Sequence, residues 1–407
     1  MTSLDGRLET ARRPGRAGAR ERLMDALRSA GPVSRVELAA LTGLTEASVS
    51  TTVRRLLQEG VVVEVGRTPT AGKPRTLLQL DPGGRTAVGI DLSTTAVTYV
   101  LTSQTGGVLA RLTRRITGRV TAEDLAARLA GDVDRLIDKA GEQRSTCLGI
   151  GLVWGGPRDG LLRRTGREAA PGSAPVDGDL LREHLQRLSG WPVLVENDAT
   201  AAAVGEYWVA RVDAARSFAA LYMGAGLGAG LVLAGSAHRG ERGHAGEFGH
   251  VCVQVDGPPC GCGGRGCLEA VAGPETVVRR ALADPAARAE AGLEASTRRS
   301  VLTDFSAVAR AARTGGPGCR ALLQDSAHHV AAAAETLVNL LDVDLLVLTG
   351  PGFAAASAIY GRAITERFGA AGSRVWGRPV TVTVSTAAAT APAVGAAALL
   401  LQERLTR

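Results

Sequence analysis

His250, Cys260, Cys262 and Cys267 stand in the order His-x9-Cys-x-Cys-x4-Cys, flanked by the acidic residues Glu247 and Glu269. One imidazole and three thiolates complete a tetrahedral shell with no open position, which suits a structural zinc ion and not a hydrolytic one. Such an ion shapes a loop and does no chemistry itself. The competing reading is a disulfide pair plus a core cysteine, so the compartment matters. No amino-terminal apolar segment resembles a secretion signal. The first twenty residues are polar and carry Arg7, Arg12, Arg13, Arg16 and Arg20. No uninterrupted apolar run reaches the roughly 18 residues that a membrane helix needs. The expectation is a cytoplasmic chain with no membrane association, and in a reducing compartment a tight Cys/His cluster is more often metal-binding than cross-linked. Cys147, Cys252 and Cys319 stand alone and read as small buried hydrophobes.

A chain of 407 residues is too long for one compact core and predicts two to three domains. Aromatic residues make up only 3% while Gly and Ala abound, so the core must be built from Val, Leu and Ala. The net charge of +7 is uneven: residues 1 to 80 hold 13 Lys and Arg against 8 Asp and Glu. Nucleic acid is the obvious partner for such a segment. A general preference for Arg is the alternative, since only Lys73 and Lys139 are lysines among 47 basic residues.

Pattern says more than charge. After a basic tail over residues 1 to 19, Leu23, Met24, Ala26 and Leu27 recur at helical spacing until Gly31-Pro32 stops the helix. Ser34-Arg-Val-Glu37 is a capping box that opens a second short helix. Gly43 allows a tight turn, Thr45 can cap a third helix, and Val49, Val53, Leu56 and Leu57 give that helix one buried face. Two helices joined by a glycine turn form a helix-turn-helix. On the outer face of the third helix, Ser48, Ser50 and Thr51 can approach base edges and Arg54 and Arg55 can reach phosphates. Val61 to Val65 and Leu77 to Leu80 read as a hairpin whose basic loop carries Arg67, Lys73 and Arg75. Residues 20 to 82 therefore predict a winged helix-turn-helix that binds double-stranded operator DNA; a protein-interaction module is the alternative.

From residue 83 onward, strands alternate with helices, the signature of an α/β domain. Glycine runs at 224 to 230 and 349 to 352 follow predicted strands and leave backbone amides able to hold an anion, or form tight hairpins. Asp91-Leu-Ser-Thr-Thr95 follows the first strand, where a phosphate loop is often placed, but has no glycine. Ala327 to Leu341 reads as a long Ala-rich helix, and residues 284 to 300 as a solvated helical insertion.

The order of these motifs resembles the ROK family of repressors, open reading frames and sugar kinases. The likeness covers nearly the whole chain: the winged helix, Val195-Glu-Asn-Asp198, the glycine loop at 224, Gly246-Glu-Phe-Gly-His250, the segment from Cys260 to Glu269, and Thr349-Gly-Pro-Gly352. The resemblance implies a two-lobed, actin-like or ribonuclease H-like α/β domain over residues 83 to 407, with a ligand between the lobes and a final helix, about Val394 to Leu405, packed on the first lobe. By motif, Asn197, Asp198, Glu247, His250 and Glu269 match the positions that grip sugar hydroxyls. His250 can then bind zinc through one ring nitrogen and present the other to the ligand.

Asp198 also matches the family's general base, which favours a kinase. Kinases of the family carry Asp-x-Gly-Gly-Thr where this chain has Asp91-Leu-Ser-Thr-Thr95, and a Thr where it has Ala225. Those departures place side chains where phosphates must approach and remove a hydroxyl donor. The implied reading is a homodimeric or higher-order DNA-binding regulator, best read as a repressor of carbohydrate-related genes, that responds to a sugar or sugar phosphate in a zinc-braced cleft and is not an enzyme. Two alternatives stand beside it: an ATP-dependent sugar kinase with an attached DNA-binding domain, and a regulator whose effector is a partner protein.

Overall fold

The computed structural model describes residues 18–69, 74–93, 96–115, 121–155, 161–162, 176–210, 217–294, 299–369 and 379–406. They fall into two compact units that divide between Asp81 and Pro82.

In the first unit, α1 (Ala19–Ala30) ends at Gly31, whose φ of 73° few other residues adopt. The strand β1 (Val33–Ser34) leads into α2 (Arg35–Thr42), opened by the reciprocal Ser34/Glu37 capping box. Gly43 turns the chain, and Thr45 caps α3 (Glu46–Gln58) by accepting the Ser48 amide at 3.3 Å. Leu23, Leu38, Val49, Val53 and Leu56 are fully buried between the three helices. The wing is β2 (Val62–Thr68) and β3 (Arg75–Leu80), antiparallel, with Arg67 opposite Thr76. The sequence predicts a two-stranded hairpin, yet β1 pairs with β3, Val33 opposite Leu78, to make three strands. A two-residue strand is too short to show periodicity. The basic tail through residue 17, Lys73, Thr94 and Thr95 lie outside the described residues.

The second unit holds two five-stranded sheets. In the first, β4 (Thr86–Leu92), β5 (Ala96–Ser103) and β6 (Val108–Arg115) run antiparallel, while β7 (Cys147–Trp154) and β10 (Val193–Asn197) lie parallel to β4. Helices α4 (Ala122–Ala140) and α5 (Gly178–Ser189) cover it, and the pair β8 (Leu161–Leu162) and β9 (Val176–Asp177) precedes α5. The expected α4 face of Leu125, Leu129, Val133 and Leu136 packs on Val88, Ile90 and Leu152.

The helix α6 (Asp198–Ala210) leads to the second sheet: β11 (Phe218–Met223), β12 (Leu227–Leu233), β13 (Ser236–His238), β14 (Leu345–Thr349) and β15 (Thr381–Val384). Its layer is α7 (Leu268–Ala272), α8 (Pro274–Ala283), α9 (Pro285–Ala291), α10 (Val301–Arg313), α11 (Pro317–Leu341) and α12 (Pro351–Gly369), around buried Phe305, Phe353 and Tyr360. The segment from 284 is less solvated than its composition suggests. Asp284 caps α9, Ala287 and Leu293 enter the core, and Glu290 accepts the Gly318 and Cys319 amides at the start of α11; residues 295–298 lie outside the description. That early start, at Pro317, makes α11 longer than the predicted 327 to 341.

Two Ala-rich helices hold the sheets together. α6 and α13 (Ala391–Thr406) cross at Gly205 and Gly395. A Cβ on Gly395 would stand 1.7 Å from the Ala201 carbonyl oxygen, and one on Gly205 2.1 Å from that of Ala391. On the first sheet, a Cβ on Gly89 would meet the Ala393 oxygen at 1.7 Å, so α13 does pack on the first lobe. On the second, Gly230 gives α6 the same access, at Ala199. Gly230 therefore belongs to strand β12, and the glycine turn is shorter than predicted, Gly224 to Gly226.

Gly395→Val should lower stability by about 3 kcal/mol, the upper end of what overpacking costs, in urea unfolding. Gly131→Ala in α4, where a Cβ meets nothing within 4 Å, should raise it by roughly 0.5–1 kcal/mol. Equal small effects at both positions would contradict the close helix crossing.

Candidate functional site

The chain from β13 to α7 is irregular and glycine-rich, and it brings the four candidate ligands together. One ligand atom from each of His250, Cys260, Cys262 and Cys267 lies within 4.8 Å of all the others. Cys260 Sγ is 3.6 Å from His250 Nδ1, and Cys262 Sγ is 3.7 Å from Cys267 Sγ. A tetrahedral zinc ion with ordinary bond lengths has S···N and S···S edges of about 3.6 and 3.8 Å, so these two edges match the metal and the set of four is compact enough to hold it. All six cysteines are free in this arrangement. The hairpin closes through the Cys260 amide donating to the Gly264 carbonyl at 2.9 Å and the Gly266 amide donating to Pro258 at 2.8 Å. Gly266, at φ 64°, passes so close to Gln254 that a Cβ would lie 1.6 Å from its carbonyl oxygen. Cys147 and Cys319 are buried as expected, but Cys252 is exposed: it forms a lone antiparallel bridge with Cys267 on the outer side of this hairpin.

His250 turns Nδ1 to the thiols and Nε2 to the Glu247 carboxylate, 3.9 Å away. Between them, Phe248 is buried in the core of the second sheet, which fixes the short turn and leaves Glu247 and His250 facing outward. Two residues past Cys267, Glu269 opens α7, and its Oε2 accepts the Leu227 amide at 3.0 Å. That carboxylate also abuts the glycine turn: a Cβ on Gly226 would stand 2.6 Å from it.

Opposite them, at the carboxyl ends of the first sheet's strands, stand Asp91 on β4 and Asn197 and Asp198 at the junction of β10 and α6. Asn197 Oδ1 accepts the Thr200 amide at 3.0 Å and Asp198 Oδ1 its neighbour's, Ala199, at 2.8 Å. Burial pushes the Asp198 carboxyl up to about 6; the Ala199 amide pulls it down, and the Glu247 and Glu269 charges push it up again. Asp91 rises to about 7 through burial and the charge of Asp198. Asp91, Asp198, Glu247 and Glu269 thus converge from both sheets, an acceptor-rich set suited to neutral hydroxyl donors and hostile to anions. Sequence reasoning places Asp91 at the end of a buried strand, where a loop begins, and misses its partnership with Asp198. It also misses the buried Glu196, whose Oε2 accepts from Arg239 Nε at 2.6 Å, tying β10 to the segment after β13. The signal was present, since Glu196 lies between Val195 and Asn197, but its partner is distant in sequence.

In the first unit, Thr45, Thr51, Arg54 and Arg55 of the α3 region are exposed, whereas Ser48 and Ser50 are half-buried. Arg67 and Arg75 are exposed on the wing strands. Arg20, Arg22 and Arg35 are engaged with Glu59, the Thr42 carbonyl and Glu64. The side chains of Arg54, Arg55 and Arg67 make no hydrogen bond or ion pair among the described residues, which leaves their guanidinium donors to solvent or phosphate.

Comparisons with known proteins divide the chain in the same way. The model of the ROK family matches residues 87–403, and that of a winged helix-turn-helix DNA-binding domain matches residues 19–63. The xylose repressor of Caldicellulosiruptor bescii is 27% identical over 78% of this chain and 78% of its own length. The glucokinase of Thermotoga maritima is 33% identical over 48% of this chain and 59% of its own length. Among solved structures, a ROK family transcriptional regulator homologous to the E. coli MLC protein matches with a TM-score of 0.72 at 23% identity, covering 95% of this chain and 96% of that one. The ROK hexokinase of Thermus thermophilus matches at 0.59 and 30% identity, over 77% of this chain and 97% of that one.

The Asp91/Asp198 pair yields a pH test. Both carboxyls titrate above their unfolded values, so between about pH 4 and 7 the native state holds protons that the unfolded chain has released, and the pair's contribution to stability falls as pH rises. Asp91→Asn removes one of the two charges. Its melting temperature should exceed that of the wild type at about pH 8 and converge with it near pH 4, and an equal difference at both would contradict the opposed pair.

Proposed function

The chain belongs to the ROK family, and we propose that it is a sugar-responsive, DNA-binding transcriptional repressor of carbohydrate-related genes. The observation that carries this reading is the grouping of Asp198, Glu247 and Glu269 beside Asn197, in a chain that also bears a winged helix with uncommitted arginine side chains. Planar carboxylates and amides accept paired hydrogen bonds from vicinal hydroxyls, and a site built for such hydroxyls rejects ligands that lack them. The similarity to a xylose repressor supports the same reading. Four carboxylates favour an unphosphorylated sugar over its phosphate, since an added anion meets like charge on both sides.

The cluster of His250, Cys260, Cys262 and Cys267 would hold a structural Zn2+, whose contribution is to fix the hairpin. His250 then presents Nε2 beside Glu247, while Cys267 anchors the helix that carries Glu269. Operator DNA is read by α3: Thr45, Ser48, Ser50 and Thr51 toward bases, Arg54 and Arg55 toward phosphates, with the wing residues Arg67, Lys73 and Arg75 along the backbone. A homodimer on two half-sites suits this mode of recognition. Sugar shifts operator binding only by its difference in affinity between the two states.

A sugar kinase with an attached DNA-binding domain is the second reading, favoured by Asp198 beside the carboxylates that would hold a sugar and by the glucokinase relative. The phosphate end argues against it: Ser93 and Thr94 stand in the sequence where a glycine pair would give access, and Ala225 offers no hydroxyl.

Gel shifts on the gene's upstream DNA, repeated with individual sugars and sugar phosphates, test the proposal; sugar-dependent ADP release without any effect on the shift would sink it. Arg54→Ala should weaken operator binding and lower its salt slope by about 1. Cys262→Ser should lose the metal and the sugar response together, and metal loss with intact sugar affinity would refute the bracing role. Glu269→Gln keeps an acceptor for the Leu227 amide but not the charge, so sugar response should fall while DNA binding persists; loss of both would mark a folding defect.

A further inference from the structure

Tyr222 is the penultimate residue of β11, two residues before the Gly224–Gly226 turn begins. The parallel pairing of β11 with β14 sets it opposite Thr349, so Gly350, which follows Thr349 and precedes α12, comes alongside. The ring fits between the two glycines edge to edge. A Cβ on Gly224 would stand 3.0 Å from Cε1 and 3.4 Å from the hydroxyl, and a Cβ on Gly350 would stand 2.9 Å from both Cδ2 and Cε2. The inner side of the ring packs on Ala199, Ala202 and Ala391, at the starts of α6 and α13, and the residue is only 6% exposed. Burial first, and then the charges of Asp91 and Asp198, hold its proton affinity well above that of a free phenol.

An anion held by this domain would need the backbone of the Gly224 turn, the amino end of α12 beside Gly350, and the end of β4. The first two flank the Tyr222 ring, and Asp91 near the end of β4 is close enough for its charge to act on the hydroxyl. We propose that the Tyr222 side chain occupies the phosphate compartment and is the residue that denies this chain a nucleoside triphosphate. The loss of glycines after Asp91 and of a hydroxyl at Ala225 weakens the grip on phosphate, whereas an aromatic ring in the compartment removes the volume. Phosphate would have to displace a ring held on two edges by glycine backbone and on one side by alanines, and would then face Asp91 without a counter-charge. The inference goes beyond the assignment as a repressor, because it names the side chain responsible for excluding nucleotide.

The test is calorimetric binding of magnesium adenylyl imidodiphosphate to the full-length protein. Wild type and Tyr222→Phe, which keeps the ring, should bind weakly and alike. Tyr222→Thr should bind at least about tenfold more tightly. Tyr222→Leu keeps apolar contact with the alanines but not the far ring edge, and should also gain, which provides a second reading if the Thr variant does not fold. Operator binding, expected to match wild type, certifies the fold of each variant. The proposal is overturned if folded Thr and Leu variants bind no better than wild type, or if Phe opens the site as Thr does. Its failure would leave the repressor reading in place, which falls instead to sugar-dependent ADP release by the wild type.

Discussion

Glu269 lies two residues beyond a metal-ligand candidate and accepts the Leu227 amide at the base of the glycine turn. This one charge-assisted hydrogen bond, at 3.0 Å, connects the Cys/His hairpin to the second sheet at the place where the carboxylates converge. The hairpin is otherwise glycine-rich backbone closed by its own hydrogen bonds, Cys260 to Gly264 and Gly266 to Pro258. Once it is fixed, Glu247 and Glu269 have fixed positions, and the charge they send toward Asp198 becomes a property of the fold. The Cys/His cluster and the carboxylates are thereby joined through Glu269.

The other half of the site depends on close backbone approach. Asn197 and Asp198 begin α6, which is pressed between β12 and α13 by small residues at Gly205, Gly230 and Gly395. Few bulky side chains intervene, so the ends of the two sheets come near enough for their carboxylates to interact. The scarcity of aromatics is the compositional trace of this packing. Dense backbone contact resists continuous deformation, so a ligand that engages both sheets acts on discrete arrangements of the lobes.

What was legible in the sequence was mostly local. The Ser34/Glu37 capping box, the α4 stripe and the Cys/His spacing each declare themselves within a few residues, and the fold follows from their order through family resemblance. What was hidden depends on residues distant in the chain. β1 has no pattern of its own and exists because β3 accepts it. Gly228 and Gly230 look like loop residues until α6 is seen against them. Tyr222 reads as an ordinary strand residue, and only the pairing of β11 with β14 reveals that its ring fills the space between Gly224 and Gly350. Asp91 was visible as the start of a loop without glycine, but its raised proton affinity follows from burial opposite Asp198, which no spacing encodes.

Thermodynamic reciprocity offers the most direct test of the claim that sugar binding and DNA binding are coupled. If sugar weakens operator binding by some factor, operator must weaken sugar binding by the same factor. Calorimetric titration of the responsive sugar into the free protein and into the saturated operator complex measures both sides of that cycle. Sugar affinity should be lower in the complex, by the factor seen in the DNA titration. Identical sugar affinity in the two states would contradict the coupling.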